Sequence, residues 1–275
     1  MLRPIDVSSL EPLTPADQPA PMLDWVPIEK IVVDDDFQRP LNRNNWEAIR
    51  RIAANFQWSR FSPVLLAPVE GGRFSCIDGQ HRTHAAALCG FERVPAMIAT
   101  VSKAEQARAF VHVNSSQIRV TAPQVLRAAL AAQEGWAVEC RDAVQAAGCT
   151  LMLYNKTTAD KKPGEVFAVQ LVRSLVTSGK AWAVTAGLRA LREYDQDGRP
   201  ALYADYVLGP WLTAIAGDVA FARVDLASVL RSKNPYNVIE LADRVAKLDG
   251  TAKAVTRRNA FVALIRNAAR MEAAE

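Results

Sequence analysis

The sequence predicts an α+β domain over about the first 120 residues, followed by an all-α domain. Two observations carry this. Short apolar runs bounded by Pro and Gly alternate with helical patterns up to residue 120, and alanine-rich helical patterns take over beyond it. No period of fixed length repeats along the chain, so a solenoid or propeller is not expected.

Residues 1–22 hold Pro4, Pro12, Pro15, Pro19 and Pro21 with little periodicity, the composition of an extended arm. Order is expected to begin near Trp25, where Trp25–Val33 alternates enough for a strand and its exit. Asp34-Asp35-Asp36 ends that run. Trp46, Ile49, Ile52, Ala53 and Phe56, spaced by three and four, predict a helix. Val64-Leu65-Leu66, enclosed by Pro63 and Pro68, reads as a short buried strand, and Glu70-Gly71-Gly72 as the hairpin turn into a returning strand at Arg73–Ile77. A helix follows over roughly 80–89, with Gly90 just past its end. Val94–Val101 is a further strand, and Lys103–Val113 and Pro123–Gln133 are helices. After residue 120, breaks fall at Gly135, Gly148, Thr158–Gly164, Asp195–Pro200, Gly209-Pro210, Asn234-Pro235 and Asp249-Gly250, with no strand recognisable between them. The expected division is an arm (1–22), an α+β domain (23–120) and a helical domain (121–275).

The composition is that of a soluble globular protein, half apolar and 23% charged over 275 residues. The net charge of +4 is unevenly placed. Residues 1–120 carry 13 basic and 13 acidic residues, whereas 121–275 carry 20 against 16. That bias permits nucleic-acid contact without demonstrating it. Cys76, Cys89, Cys140 and Cys149 form no CxxC pair and lie among apolar residues, so buried, reduced thiols and a cytoplasmic location are expected. No apolar run approaches the ~20 residues of a membrane span, and the start of the chain does not read as a secretory signal.

Chemistry concentrates at Asp78-Gly79-Gln80-His81-Arg82. A strand ends, Gly79 permits a tight turn, and a helix begins whose first N–H groups point outward with a partial positive charge. That end suits an anion, and Gln80, His81 and the forked guanidinium of Arg82 add donors. His84 follows His81 at i+3. The plainer alternative is an ordinary strand–turn–helix, capped by Asp78, with Arg82 in a salt bridge. A metal site from His81, His84 and His112 is conceivable, though helix-surface histidines are the commoner case. Asp34-Asp35-Asp36 offers carboxylates to Mg²⁺, against a solvated loop. In the C-terminal stretch 251–273, Val255, Phe261, Val262, Leu264 and Ile265 form an apolar side. Lys253 with Arg257 and Arg266 with Arg270 make i,i+4 basic pairs, so Arg257, Arg258, Arg266 and Arg270 are candidate DNA-phosphate contacts. The alternative is a terminal helix packed on the body. A helix-turn-helix is a further possibility over Thr121–Gly148, with Arg141 as the one basic reader of its second helix.

The run from Cys76 to Gly90, followed by Val94-Pro95-Ala96, resembles the ParB/sulfiredoxin superfamily, and its DGQHR spelling resembles ParB-like proteins of phages and other mobile elements. Phe37-Gln38-Arg39-Pro40-Leu41 is similar to the box after that family's first strand. Phe110–Arg127 is similar to its second nucleotide motif, with Asn114 at the motif's Asn, Gln117 or Arg119 as its polar or basic partner and Pro123 opening the next helix. The resemblance covers roughly residues 25–135. It implies a domain that binds CTP or ATP with Mg²⁺, the triphosphate resting on Gly79, Gln80, His81 and Arg82. Arg39 would face the pocket, and Asn114 would assist through the metal. It also implies a DNA-associated protein acting as a nucleotide-dependent binder or clamp, plausibly a homodimer. Two departures matter. Gln80 stands where sulfiredoxins need a reactive Cys, which removes that chemistry. Val113 stands where partition proteins carry an acidic residue, which weakens the case for hydrolysis. An enzyme on the same fold, a metal-dependent nuclease or a phosphotransferase, would need a carboxylate near the pocket, with Asp78 or Asp36 as candidates. A non-catalytic regulator binding a protein partner is the third reading.

Overall fold

The computed structural model describes residues 2–15, 17–38, 40–115 and 120–272. The chain divides into two compact units, Met1–Ile118 and Arg119–Glu275.

The first unit is built on a five-stranded mixed sheet. Its strands are β1 (Met22–Pro27), β2 (Ile31–Val32), β3 (Val64–Val69), β4 (Arg73–Asp78) and β5 (Arg93–Ile98), in the order β1-β5-β3-β4-β2. β1 starts at Met22, three residues before the sequence suggested, because Met22 pairs with Ile98. The Gly71-Gly72 turn joins β3 to β4 as expected, both glycines lying at positive φ. Pro68 is tolerated inside β3 because β5 pairs only with Val64–Leu66 and has ended before Pro68 is reached. One sheet face buries Val26, Val64, Leu66, Cys76, Val94, Ala96 and Ile98 together with Ala86. That face is covered by α2 (Gln80–Leu88), and α1 (Arg43–Ala54), which carries buried Ile49, packs against α2. α1 begins with a reciprocal cap between Asn42 and Asn45, which the sequence reading did not identify. α3 (Lys103–Ser115) packs against β4.

The second unit is largely helical. α4 (Ala122–Ala131), α5 (Gly135–Gln145), α6 (Val169–Thr177), α7 (Ala181–Tyr194), α8 (Asp205–Ile215), α9 (Leu226–Ser232), α10 (Pro235–Asp249) and α11 (Lys253–Glu272) follow in order. Two expectations are corrected. A two-residue parallel ladder joins β6 (Thr150–Leu151) to β7 (Glu165–Val166), too short to leave a period in the sequence. Gly209-Pro210 does not break a helix: α8 runs through it. Pro210 removes one backbone hydrogen bond, but Val207, Leu208, Trp211, Leu212 and Ile215 are fully buried around it, and that burial outweighs the loss.

Trp211 is the hub of this core. Its indole N–H donates to the Gly187 carbonyl at 2.9 Å, and its ring meets Phe261 of α11 edge to face at 5.4 Å. Phe261 and Ile265 are fully buried, so α11 is packed on its own unit, as one of the two readings of that stretch held. Three cysteines are buried as expected. Cys89 is exposed, because it lies at the C-cap of α2, where the helix leaves the core. Among the described residues no helix is long and apolar enough to cross a membrane.

The approach of α7 to α8 depends on a missing side chain. A Cβ on Gly187 would run into Leu212 and come within 2.8 Å of Ile215 Cδ1. Gly187→Ala, although it raises helix propensity, is therefore expected to destabilise the second unit by about 1–3 kcal/mol. Chemical denaturation followed by circular dichroism would measure this.

Candidate functional site

The site forms where β4 leaves the sheet. β2 accompanies β4 only at Phe74 and Ser75, so the last three residues of the strand lack an outer neighbour. On the other side the β3–β4 register slips between Leu65↔Asp78 and Leu66↔Cys76, leaving Ile77 without an opposite residue. Gln38, buried in the loop after β2, fills the gap. Its side-chain amide donates to the Cys76 carbonyl at 2.8 Å and to the Ile77 carbonyl at 3.2 Å. A side chain thus replaces the missing strand. The sequence reading quoted Gln38 within the box 37–41 but assigned a role only to its neighbour. Nothing in the local pattern told that Gln38 would turn inward.

Gly79 then makes the turn with φ +103°, and a Cβ there would lie 2.5 Å from Val64 Cγ1. Only glycine satisfies both constraints. Gly79, rather than Asp78, is the residue preceding α2, and no side chain caps the helix. Its first closing bond is Thr83 N–H to the Gly79 carbonyl. The N–H groups of residues 80–82 precede that bond and form the positive end of α2.

This helix end opens on a cleft of about 290 Å³, lined by Gln38, Leu41 and Asn45 from one side, Asp78 to Arg82 from the turn, and Phe110 and Asn114 of α3. The volume is at the small end of the roughly 300–1,000 Å³ typical of ligand clefts. Arg82 Nη2 donates to Asp78 Oδ2 at 3.1 Å. Arg82 Nε is shielded from water and has no acceptor among the described residues. Asn114 Nδ2 is occupied by the Phe110 carbonyl at 2.8 Å, which leaves its oxygen as the functional end. Burial, and secondarily the Asp78 charge, push the Cys76 thiol up to about 12, so it is a core thiol and no nucleophile.

The walls are tied together from outside. Lys103, at the start of α3, donates to Asp36 and lies 3.2 Å from Asp34 Oδ2. These bonds hold the Asp34 carboxyl below its ordinary range, after the larger effect of the Asp36 backbone N–H. Phe37 packs on Phe110 at 5.8 Å. The loop carrying Gln38 is thereby fastened to α3.

Gly79, Gln80, His81, Arg82, Asp78 and Asn114 are therefore brought together. Asp36 is not among the lining residues, being drawn outward by Lys103. His84 turns to α1: its Nδ1–H donates to the Gln80 carbonyl at 2.8 Å and its ring meets Trp46 at 5.6 Å. His112 lies on a different face of α3, beside Glu105 and Arg108. The three histidines do not converge, and no group of three His, Cys, Asp or Glu residues able to hold a metal occurs among the described residues. Arg39, Gln117 and Arg119 lie outside the described residues.

The proposed DNA contacts separate. Arg257 Nε and Nη2 each donate to an Asp243 oxygen at 2.6 Å, which holds that carboxyl below its ordinary range. Lys253 leans on the same carboxylate at 3.9 Å. Arg257 is thus a strut between α10 and α11 and is withdrawn from phosphate contact. Arg258, Arg266 and Arg270 are exposed. In α5 the candidate reader Arg141 is paired with Asp142 at 2.7 Å, while Ala137, Cys140, Ala143 and Val144 face the core.

Residues 23–115 match the family model of the ParB N-terminal domain, which gives the first unit its class. No curated protein matches the chain. Among solved structures, one similar chain is the C-terminally truncated chromosome-partitioning protein ParB from Caulobacter crescentus complexed with CTP-gamma-S. It is 15% identical with a TM-score of 0.37, over 77% of this chain and 98% of that one. The same protein complexed to the centromeric parS site is similar at 16% identity and a TM-score of 0.30, over 89% and 100% of the two chains. Sulfiredoxin from Arabidopsis thaliana is similar at 20% identity and a TM-score of 0.26, over 32% and 97%. Likenesses this low carry no argument about function.

Gln38→Ala removes two buried bonds and leaves two carbonyls unsatisfied. It should cost about 1–3 kcal/mol of stability and loosen the Gly79 turn. Faster amide exchange of residues 79–82, at unchanged exchange in α8, would report it.

Proposed function

We propose that the first unit binds a nucleoside triphosphate, CTP or ATP, with its phosphates on the Gly79 turn, and that the helical unit associates with DNA in a nucleotide-dependent way. One observation carries the first half: Arg82, whose buried Nε–H has no acceptor among the described residues, lines the same cleft as the uncapped start of α2. Both are donors without acceptors, and a phosphate supplies acceptors to both. The ParB N-terminal match over 23–115 supports the same reading.

Each group has a role in this reading. The N–H groups of residues 80–82 and the Gln80 amide hold phosphate oxygens. Arg82 exchanges its bond to Asp78 for bonds to the ligand. The Asn114 oxygen and Asp78 are the donors of the described cleft assigned to Mg²⁺. That is enough for a metal arriving on the phosphates and keeping its waters, and too few for a cage made by the protein alone. With Asp78 paired to Arg82 and Asp36 outside the lining, no carboxylate among the described residues is poised to activate water, which supports binding over hydrolysis or strand cleavage.

Calorimetric titration with CTP, ATP, GTP and UTP, with and without Mg²⁺, tests this. Arg82→Ala should weaken binding at least tenfold, since a charge-assisted bond contributes about 1.5–3 kcal/mol. Asp78→Asn should tighten binding without Mg²⁺, because the charge competing for Arg82 is removed, and should lose the gain that added Mg²⁺ gives the wild type. Loss of activity in Asp78→Asn would favour an enzyme, and absence of binding to every nucleotide would sink the proposal.

For DNA, Arg266→Ala with Arg270→Ala should weaken binding across sequences and flatten the logarithmic salt dependence by about two. Arg257→Ala should lower stability instead. Fluorescence anisotropy over a salt series, beside thermal melts, separates the two outcomes.

A further inference from the structure

The first unit leaves part of its sheet bare. Leu23 pairs directly with Met97, and Trp25 with Pro95, so these side chains share the face opposite the core. Leu23 is 77% and Trp25 49% exposed. Trp58, itself 41% exposed, meets Trp25 edge to face at 5.2 Å and packs on Phe91 at 4.8 Å. The result is a ledge of aromatic rings beside the edge strand β1.

The middle of that edge is closed to an added strand. Pro95 has no N–H, so Trp25 turns its own N–H and C=O away from β5, toward the open edge. Asp24 accepts the Trp25 N–H at 2.7 Å. Arg93 donates to the Trp25 carbonyl through both Nε and Nη2. Side chains thus occupy the groups an incoming strand would use. An occupant of the ledge must dock by its side chains and need no ladder. A proline-rich segment does this: it is extended, lacks N–H donors at its prolines and packs on aromatic rings.

Such a segment belongs to this chain. Pro12-Leu13-Thr14-Pro15 lies in the arm before β1, where Leu10 and Leu13 are 69% and 91% exposed. Only six residues separate Pro15 from Met22, and Pro19 and Pro21 are two of them. Prolines stiffen a chain over several residues, so folding Pro12–Pro15 back onto Trp25 of the same copy would need a sharp reversal in a stretch that resists it. A second copy needs none. We propose that residues 10–15 of one copy dock on the Trp25–Trp58 ledge of another, in a reciprocal exchange of arms.

Sedimentation equilibrium of the full chain over a concentration series tests this. The wild type should reach twice the chain mass. Pro12→Ser with Leu13→Ser, in a segment that supports no fold, should remain a monomer, and excess synthetic peptide of residues 2–21 should dissociate the wild-type dimer. Trp25→Thr should also be a monomer. Mixed with the arm variant it should pair again, because one arm and one ledge remain intact, and that recovery excludes misfolding. A wild type that stays monomeric, or a dimer that survives both the arm variant and the peptide, overturns the proposal.

Discussion

Two hydrogen bonds from the Gln38 side chain hold the end of β4 where no strand remains to do so. β2 has stopped, the register with β3 has slipped, and the carbonyls of Cys76 and Ile77 would otherwise be buried without partners. With them satisfied, Gly79 can turn against Val64 and aim α2 at the cleft. The cost of an unmade buried bond fixes the turn in one position. The Lys103 clip and the Phe37–Phe110 contact are weaker, exposed or half-exposed supports that keep the same loop against α3.

The electrostatics of the cleft follow from this scaffold. Arg82 is half satisfied, with Nη2 on Asp78 and Nε on nothing among the described residues. An internal carboxylate keeps the guanidinium ordered while competing with any external anion for it. Pre-organisation lowers the entropy cost of binding, and competition lowers the gross attraction. Such a site is suited to reversible occupancy.

In the helical unit, position in the core decides what charge can do. Arg257 and Arg266 lie on the same helix, and the sequence gives them equal standing. Phe261 and Ile265 dock α11 against the hub at Trp211, and that rotation brings Arg257 over Asp243 while Arg266 faces water. One becomes a strut and the other stays available.

Much of the fold was legible in the sequence. The alternation of short apolar runs, the Gly71-Gly72 turn, the glycine after β4 and the break at Asn234-Pro235 are local signals with local causes, and each of these features formed close to where its pattern lay. The turn at residues 78–82 was legible for the same reason: a strand end, a glycine and a helix start are consecutive. Tertiary structure decided the rest. Gln38 gains its role from a gap between strands 38 residues away, Asp36 is removed from the cleft by Lys103, His84 is held by the Gln80 carbonyl and Trp46, and His112 lies beside Glu105 and Arg108. α8 passes through Gly209-Pro210 because its neighbours bury it. Local sequence determined which groups were present and which way the chain could turn. Which of those groups meet depended on packing between segments distant in the chain, and no local pattern records that.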